Sequence, residues 1–455
     1  MSQMKDHEQG DINTSPIRAR YIERNVQGKA LELYNRDKDI FLHQNLSTPV
    51  LTVIDRAMGA WLYDMDGRKY IDLHGNGVHN AGFNNDYIIE KLIKALQEKK
   101  TFTPRRYTNE SAIELAEKLV AISPEGLDRV LFAPGGSEAI EMAITLAKHI
   151  TGNWKTISFW DSFHGVGFQA SSVGGERLFK KGRGPLVPGA LHVEFPNYDR
   201  NNWNFCEAKQ VDDEILRQLE ILFEKEGDIA CIIGEPISST PVVPSKYFWE
   251  EVKKLCEKHG ALLIFDEVIE GFGRTGKMFA CEHFIVPDIL VLGKSLGGGI
   301  LPFAGIVTRE EYNVLQDCSI GHFTHEKNGL CALAGLGEIE YIIDNNLIEN
   351  ANVLGNYIMD RFEKMKKTHG MIGAVAGKGL HIGIDIVKNR ETMERAPIEA
   401  ENMMYMCMEE GVAFKLIESN IITLRPSLVI TREEADFIAD TIEKAIIRVE
   451  NGEEY

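Results

Sequence analysis

From about residue 86 onward the chain alternates amphipathic helical stretches with short apolar runs, and this alternation constrains the fold more than any other feature. Ile88–Leu96 and Ser111–Ile122 carry apolar residues at helical spacing. The runs Arg129–Phe132, Thr156–Phe159, Ile229–Ile233, Leu262–Phe265 and Ile289–Leu292 have strand length and are bounded by Gly or Pro. Strands alternating with helices predict an α/β domain built on a mostly parallel sheet. Beyond about residue 330 the pattern changes. A long helix, Leu330–Ile343, leads to another helix and to β-like segments at Leu380–Ile386 and Ile421–Leu424. The closing helix starts after Thr431, whose Thr-x-x-Glu434 spacing suits a capping box. These features predict a large α/β domain over residues 76–330 and a smaller α+β domain over 331–455. The first 45 or so residues are polar, and strand-like pieces follow at Pro49–Ile54 and Ala60–Tyr63 with a turn at Asp66-Gly67. Residues 1–75 are therefore expected to form an arm that packs with the smaller domain.

A chain of 455 residues is long enough for two such domains. Its net charge of −18 offers no basic face for a phosphate backbone, so no nucleic-acid partner is expected. Any anionic ligand must be met by a local cluster of donors. The seven cysteines, Cys206, Cys231, Cys256, Cys281, Cys318, Cys331 and Cys407, form no Cys-x-x-Cys pair. That spread fits buried free thiols in a reducing compartment, and neither a metal knuckle nor a disulfide framework. The N-terminal charges have no apolar stretch behind them, and the longest apolar runs are of strand length. The expectation is a soluble cytoplasmic protein with no bound metal and no membrane partner.

Ligands of open α/β sheets sit beyond the carboxyl ends of the strands, and three strand ends here carry unusual residues. Leu131-Phe132 runs into Ala133-Pro134-Gly135-Gly136-Ser137 and then a helix, so free N–H groups and the positive end of the helix dipole converge on one point. Alone, this is either an anion site or a tight turn. The apolar run Ala261–Phe265 ends in Asp266, and a carboxylate at such an exit is costly unless something positive meets it. Alone, it is either the partner of a protonated ring nitrogen or a loop cap. Ile289–Leu292 delivers Gly293-Lys294-Ser295, then Gly297-Gly298-Gly299. A lysine there loses its proton readily and can form an imine with a carbonyl, or it is a solvated charge. Together, an anion-binding helix start, an acid for a ring nitrogen and an imine-forming lysine are what pyridoxal 5'-phosphate demands of a protein.

Rival motifs fail. Gly293-Lys294-Ser295 lacks the earlier glycine of a phosphate-binding loop, since that position is Asp288. Gly271-Phe-Gly273-Arg-Thr-Gly276 matches a dinucleotide fingerprint by letter, but Lys277–Ile285 makes a poor amphipathic helix and no acid ends the next strand. His325-Glu326 begins a zinc-protease pattern, yet position 329 is Gly.

From about Leu46 to Val449 the chain resembles the class III aminotransferases, most closely in Leu262–Gly276, Pro287-Asp288 and Lys294-Ser-Leu-Gly-Gly-Gly. The resemblance implies a pyridoxal-phosphate-dependent enzyme of fold type I, a homodimer with the active site at the subunit interface. It implies that Lys294 is the Schiff-base lysine and general base, and that Asp266 pairs with the pyridine nitrogen. Val268 would pack on one ring face and Phe163, followed by His164, on the other. Gly136 and Ser137 would hold the phosphate, Glu235 would stand on the substrate side, and Thr324 would be lent to the partner's phosphate.

Where the family has Gln after the valine, this chain has Ile269, which removes one hydrogen bond to the ring. Where many members hold a substrate carboxylate with arginine, this chain has Thr423; Arg425, two residues on, either takes that role or is a surface charge. Arg105-Arg106-Tyr107 suits a phosphate, phosphonate or carboxylate, or is a solvated pair. Arg-Arg-Tyr-Thr-Asn and Thr-His-Glu-Lys resemble a branch that includes an ammonia-lyase acting on a hydroxylated aminoethylphosphonate. Two activities stay open: transamination between a primary amine, possessing an anionic group or not, and a keto acid, or elimination from an aminoalkyl phosphonate or phosphate. The catalytic residues expected for both are the same.

Overall fold

The computed structural model describes residues 14–45, 47–48, 50–203, 205 and 207–455; Leu46, Pro49, Asn204 and Cys206 lie outside the described residues, as do the first 13. In chain order the strands are β1 (Ile54–Met58), β2 (Trp61–Asp64), β3 (Lys69–Asp72), β4 (Arg129–Ala133), β5 (Lys155–Phe159), β6 (Ala190–Val193), β7 (Ile229–Gly234) and β8 (Leu262–Asp266). They continue as β9 (Ile289–Leu292), β10 (Ala304–Thr308), β11 (Ile372–Lys378), β12 (His381–Asn389), β13 (Glu394–Arg395), β14 (Val412–Ala413), β15 (Lys415–Ile417) and β16 (Ile421–Leu424). Contacts divide the described residues into two compact units, one within 76–81 and 85–349, the other within 14–75, 82–84 and 350–455.

The larger unit holds a seven-stranded sheet in the order β4-β10-β9-β8-β7-β5-β6. Only β10 runs against its neighbours; the pairs β9–β8, β8–β7, β7–β5 and β5–β6 are parallel. Strands β7 to β10 are buried along their whole length, as expected of a sheet covered on both faces. Alternate side chains (Ile233, Ile264, Val291, Ile306) pack with Ile140, Ala143 and Ile144 of the helix Gly136–Thr151. Phe265 points to the opposite face, where Trp249 of the helix Lys246–His259 meets it at 4.7 Å between ring centres. β6 and β10 were not anticipated; β10 is the antiparallel insertion between β4 and β9.

The helix Gly329–Asp344 belongs with this unit, whereas residues 331–349 were expected in the smaller domain. Its glycines explain why: a Cβ on Gly335 would stand 2.3 Å from the Leu296 carbonyl oxygen, so the helix lies directly on the turn after β9.

In the other unit, β11, β12, β16 and β15 form an antiparallel sheet, and β1, β2, β3 and β14 form a mixed one in which β14 runs parallel to β3. The helix Pro16–Asn25 is fastened here. Arg20 Nε donates to the Tyr455 carbonyl at 2.8 Å, and Asn25 Nδ2 to the Tyr455 hydroxyl at 2.8 Å. The closing helix Arg432–Glu450 has a full capping box, with the Glu434 N–H on Thr431 Oγ1 at 3.2 Å and the Thr431 N–H on Glu434 Oε2 at 2.8 Å. Thr431→Ala should therefore cost about 1 kcal/mol of stability, read as a lower urea midpoint with an unchanged slope. Among the described residues, no helix is long and apolar enough to cross a membrane.

Candidate active site

The carboxyl ends of β4, β5, β7, β8 and β9 converge on one cavity. It is lined by Gly136, Ser137, Ile140, Phe163, His164, Gly165, Glu235, Asp266, Val268, Ile269 and Lys294. Apart from Ile140, each lining residue stands at or shortly after a strand end, which is where this topology leaves backbone free for ligands.

One wall is the start of the helix Gly136–Thr151. Its N-cap is Gly135, which supplies no side-chain cap, so the first-turn N–H groups have no acceptor from that residue. Gly136 packs on Val268: a Cβ there would lie 3.4 Å from Val268 Cγ1, at ordinary van der Waals contact. Ser137 Oγ accepts the Val166 N–H at 3.1 Å, and a Cβ on Gly165 (φ +115°) would come within 2.5 Å of that oxygen. The segment after β5 is thereby pinned against the helix start. Phe163 is further backed by Phe179, with ring centres 4.4 Å apart.

At the bottom, Asp266 is 4% exposed. Its Oδ2 accepts from His164 Nδ1 at 2.8 Å and its Oδ1 from the Val268 N–H at 3.1 Å. The bond to a carboxylate fixes the proton on Nδ1 of a fully buried ring. Glu235, also buried, accepts the Ser239 N–H at 3.2 Å. Lys294 opens the turn after β9 with φ +46°, a region a side-chain-bearing residue enters at a cost. Its stem lies on bare backbone, since a Cβ on Gly77 would be 3.1 Å from Lys294 Cδ.

Of the residues singled out in the sequence, Gly136, Ser137, Phe163, His164, Glu235, Asp266, Val268 and Lys294 come together here. Arg105, Arg106 and Tyr107 occupy an exposed turn and do not line the cavity. Thr324 is exposed on this chain and also lies outside the lining. Arg425 is 3% exposed, so it is no surface charge; it follows β16 in the other unit, where its N–H donates to the Leu73 carbonyl at 2.7 Å. The remaining signature residues are structural. Glu267 takes the N–H groups of Ala280 and Cys281 at 2.5 and 2.7 Å, and burial pushes its carboxyl up to about 7. Asp288 binds Lys253 at 2.7 Å and the Leu263 N–H at 2.8 Å. The Gly271–Gly276 run is a buried loop held by Asn80, which donates to the Gly271 and Phe272 carbonyls, and only a short 3-10 turn follows it. Gly77, Ile140 and Gly165 were not picked out; the Gly75-Asn-Gly77 spacing was the available signal for the first.

The chain matches the class III aminotransferase family over residues 43–446 and belongs to it. It is 40% identical to an (R)-1-hydroxy-2-aminoethylphosphonate ammonia-lyase of Vibrio splendidus, over 98% of this chain and 96% of that one. It is 35% identical to a leucine/methionine racemase of Thermococcus litoralis, over 92% and 96%. Among solved structures, an (S)-enantioselective omega-transaminase from Thermomicrobium roseum superposes with a TM-score of 0.87 at 27% identity, covering 93% of this chain and 99% of that one. The fold is the α/β fold of pyridoxal-phosphate-dependent transaminases, the chain is an enzyme, and its cofactor is pyridoxal 5'-phosphate. The cavity suits that group on its own terms: an uncapped helix start for a phosphate, Val268 and Phe163 for two ring faces, a buried carboxylate and a lysine.

Proposed function

We propose that this enzyme is an ammonia-lyase that acts on a short hydroxylated aminoalkyl phosphonate. The near-full-length likeness to the Vibrio enzyme carries this reading. Bound in the cavity, pyridoxal 5'-phosphate supplies an electron sink for the carbon that bears the substrate nitrogen. Lys294 would hold the cofactor and, once the substrate amine has freed its Nζ, would take the proton from that carbon. Asp266 keeps a proton on the ring nitrogen, and His164 holds Asp266. The first-turn N–H groups at Gly136 and Ser137 would hold the phosphate, while Val268 and Phe163 would flank the ring. On the neighbouring carbon the hydroxyl leaves as water, using the proton Lys294 has taken. Lys294 would then retake the cofactor and free the product, and water would add across the two carbons, its proton to the one that lost the hydroxyl and its oxygen to the nitrogen-bearing one, so that an aldehyde and ammonia are released and no keto acid is consumed. The working enzyme would be a cytoplasmic homodimer in which Thr324 reaches the partner's phosphate. In that dimer Arg105 and Arg106, which lie outside this chain's own cavity, would meet the phosphonate in the partner's site, with Tyr107 beside them, and Arg425 is the remaining candidate. Arg106→Ala should raise KM for an anionic amine about 10- to 100-fold and leave a neutral amine within about twofold, measured by steady-state kinetics on both.

Transamination is the second reading, favoured by the solved transaminases that share the fold. The two part after the proton has moved, so the test follows nitrogen. Enzyme mixed with aminophosphonates and without keto acid should release ammonia repeatedly while the cofactor's visible band persists. One-time conversion of the cofactor to its amine form, without ammonia, would replace the lyase reading with the aminotransferase one.

A further inference from the structure

Lys294 is held in its left-handed conformation by two segments. Behind it runs the loop 76–81, whose Gly77 (φ +73°) offers bare backbone to the lysine stem. Ahead of it is Ser295 in the 3-10 turn Lys294–Gly297. Both segments are tied to one atom. Ser295 Oγ donates to Glu338 Oε1 at 2.6 Å, and the Ala81 N–H donates to the same oxygen at 3.0 Å. Ser295, Ala81 and Glu338 are each at most 2% exposed.

Glu338 sits in the helix Gly329–Asp344, whose other buried residues are all small or apolar. That helix cannot withdraw without opening tight contacts: a Cβ on Gly298 would stand 2.9 Å from the Ala334 carbonyl oxygen. The loop is also anchored independently, since Arg274 Nη2 donates to Asn80 Oδ1 at 2.6 Å. A buried carboxylate met mainly by neutral donors is a poor way to gain stability, because an apolar residue of similar size avoids the desolvation cost. Burial accordingly pushes its carboxyl up to about 7. What the carboxylate does provide is a fixed register between loop and turn.

We propose that Glu338 is a positioning residue for Lys294: by clamping Ser295 and Ala81 to one oxygen it sets the lysine stem on Gly77 and aims its amine into the cavity. This rests on Lys294 being the residue that links the cofactor. The test uses full-length Glu338→Leu, Glu338→Gln and Ser295→Ala. Three quantities are read: the rate at which cofactor-free protein forms a borohydride-trapped lysine adduct with pyridoxal 5'-phosphate, the pH midpoint of the bound cofactor's visible band, and Tm. E338L should slow adduct formation about tenfold and move the midpoint by about half a pH unit. S295A should move both in the same direction by less. E338Q, whose amide oxygen accepts both bonds, should recover the native rate to within about threefold. A native rate and midpoint in E338L, with or without a lower Tm, overturns the proposal. If E338L does not fold, the same native values in S295A overturn it, and so does an E338Q that behaves like E338L. An adduct that forms equally well in Lys294→Ala would instead overturn the reading of Lys294 itself.

Discussion

Lys294→Ala should lower turnover by about a thousandfold or more on every amine the enzyme accepts, and should abolish the borohydride-trapped adduct. Two proposed duties are lost at once: the covalent hold on the cofactor and the base that moves the substrate proton. Among the described residues no other lysine lines the cavity, so none of them is placed to substitute. The fold should survive, because alanine can occupy the same backbone angles and the turn after β9 keeps its bonds from Ser295 to Glu338. The left-handed φ of +46° adds a second expectation. Glycine at 294 relieves about 1–2 kcal/mol of strain and gives back about 0.5–1 kcal/mol to the freedom of the unfolded chain. K294G should thus unfold at slightly higher urea than K294A, both being compared without cofactor. Equal or reversed midpoints would show that the lysine's conformation carries no strain; undiminished turnover in K294A would remove the lysine from the chemistry.

Local pattern made five of the seven strands of the large sheet legible, because each is a short apolar run bounded by Gly or Pro. It missed β10, where Ala304-Gly-Ile-Val-Thr308 follows a loop already read as part of the lysine motif, and β6, where His192 interrupts the run. Strand ends gave away Gly136, Asp266 and Lys294, since a glycine pair, an acid and a lysine stand out against apolar neighbours. Phe163, His164 and Glu235 came from family resemblance alone, because nothing in their local spacing says which face they share. Gly77 and Glu338 were invisible for a different reason. Their importance lies in contacts with residues 217 and 43 positions away, to Lys294 and Ser295, and no window of sequence contains both partners. The hints were the Gly75-Asn-Gly77 spacing and a lone acid in the small-residue stretch Gly329–Glu338.

Asp266→Asn should cost between about 150-fold and 5000-fold in kcat/KM, which is the roughly 3–5 kcal/mol expected when one member of a buried charge pair is removed. As an acceptor, Asp266 uses both oxygens, one for the Val268 N–H and one for His164 Nδ1. An amide oxygen can keep one of these bonds, but its NH2 must then face the other donor. If the oxygen stays with the Val268 N–H, His164 has to move its proton to Nε2, and no carboxylate remains to keep the ring nitrogen charged. His164→Ala is the informative contrast. It takes away the hydrogen bond that orients Asp266 and leaves the negative charge in place, so the loss should be nearer tenfold, as for one charge-assisted hydrogen bond. The two variants are to be compared on one amine, with the pH titration of the visible band recorded for each. D266N should alter the band at every pH, whereas H164A should keep its shape. A loss in H164A as large as in D266N would mean that the histidine, and not the aspartate alone, holds the charge on which the ring nitrogen depends.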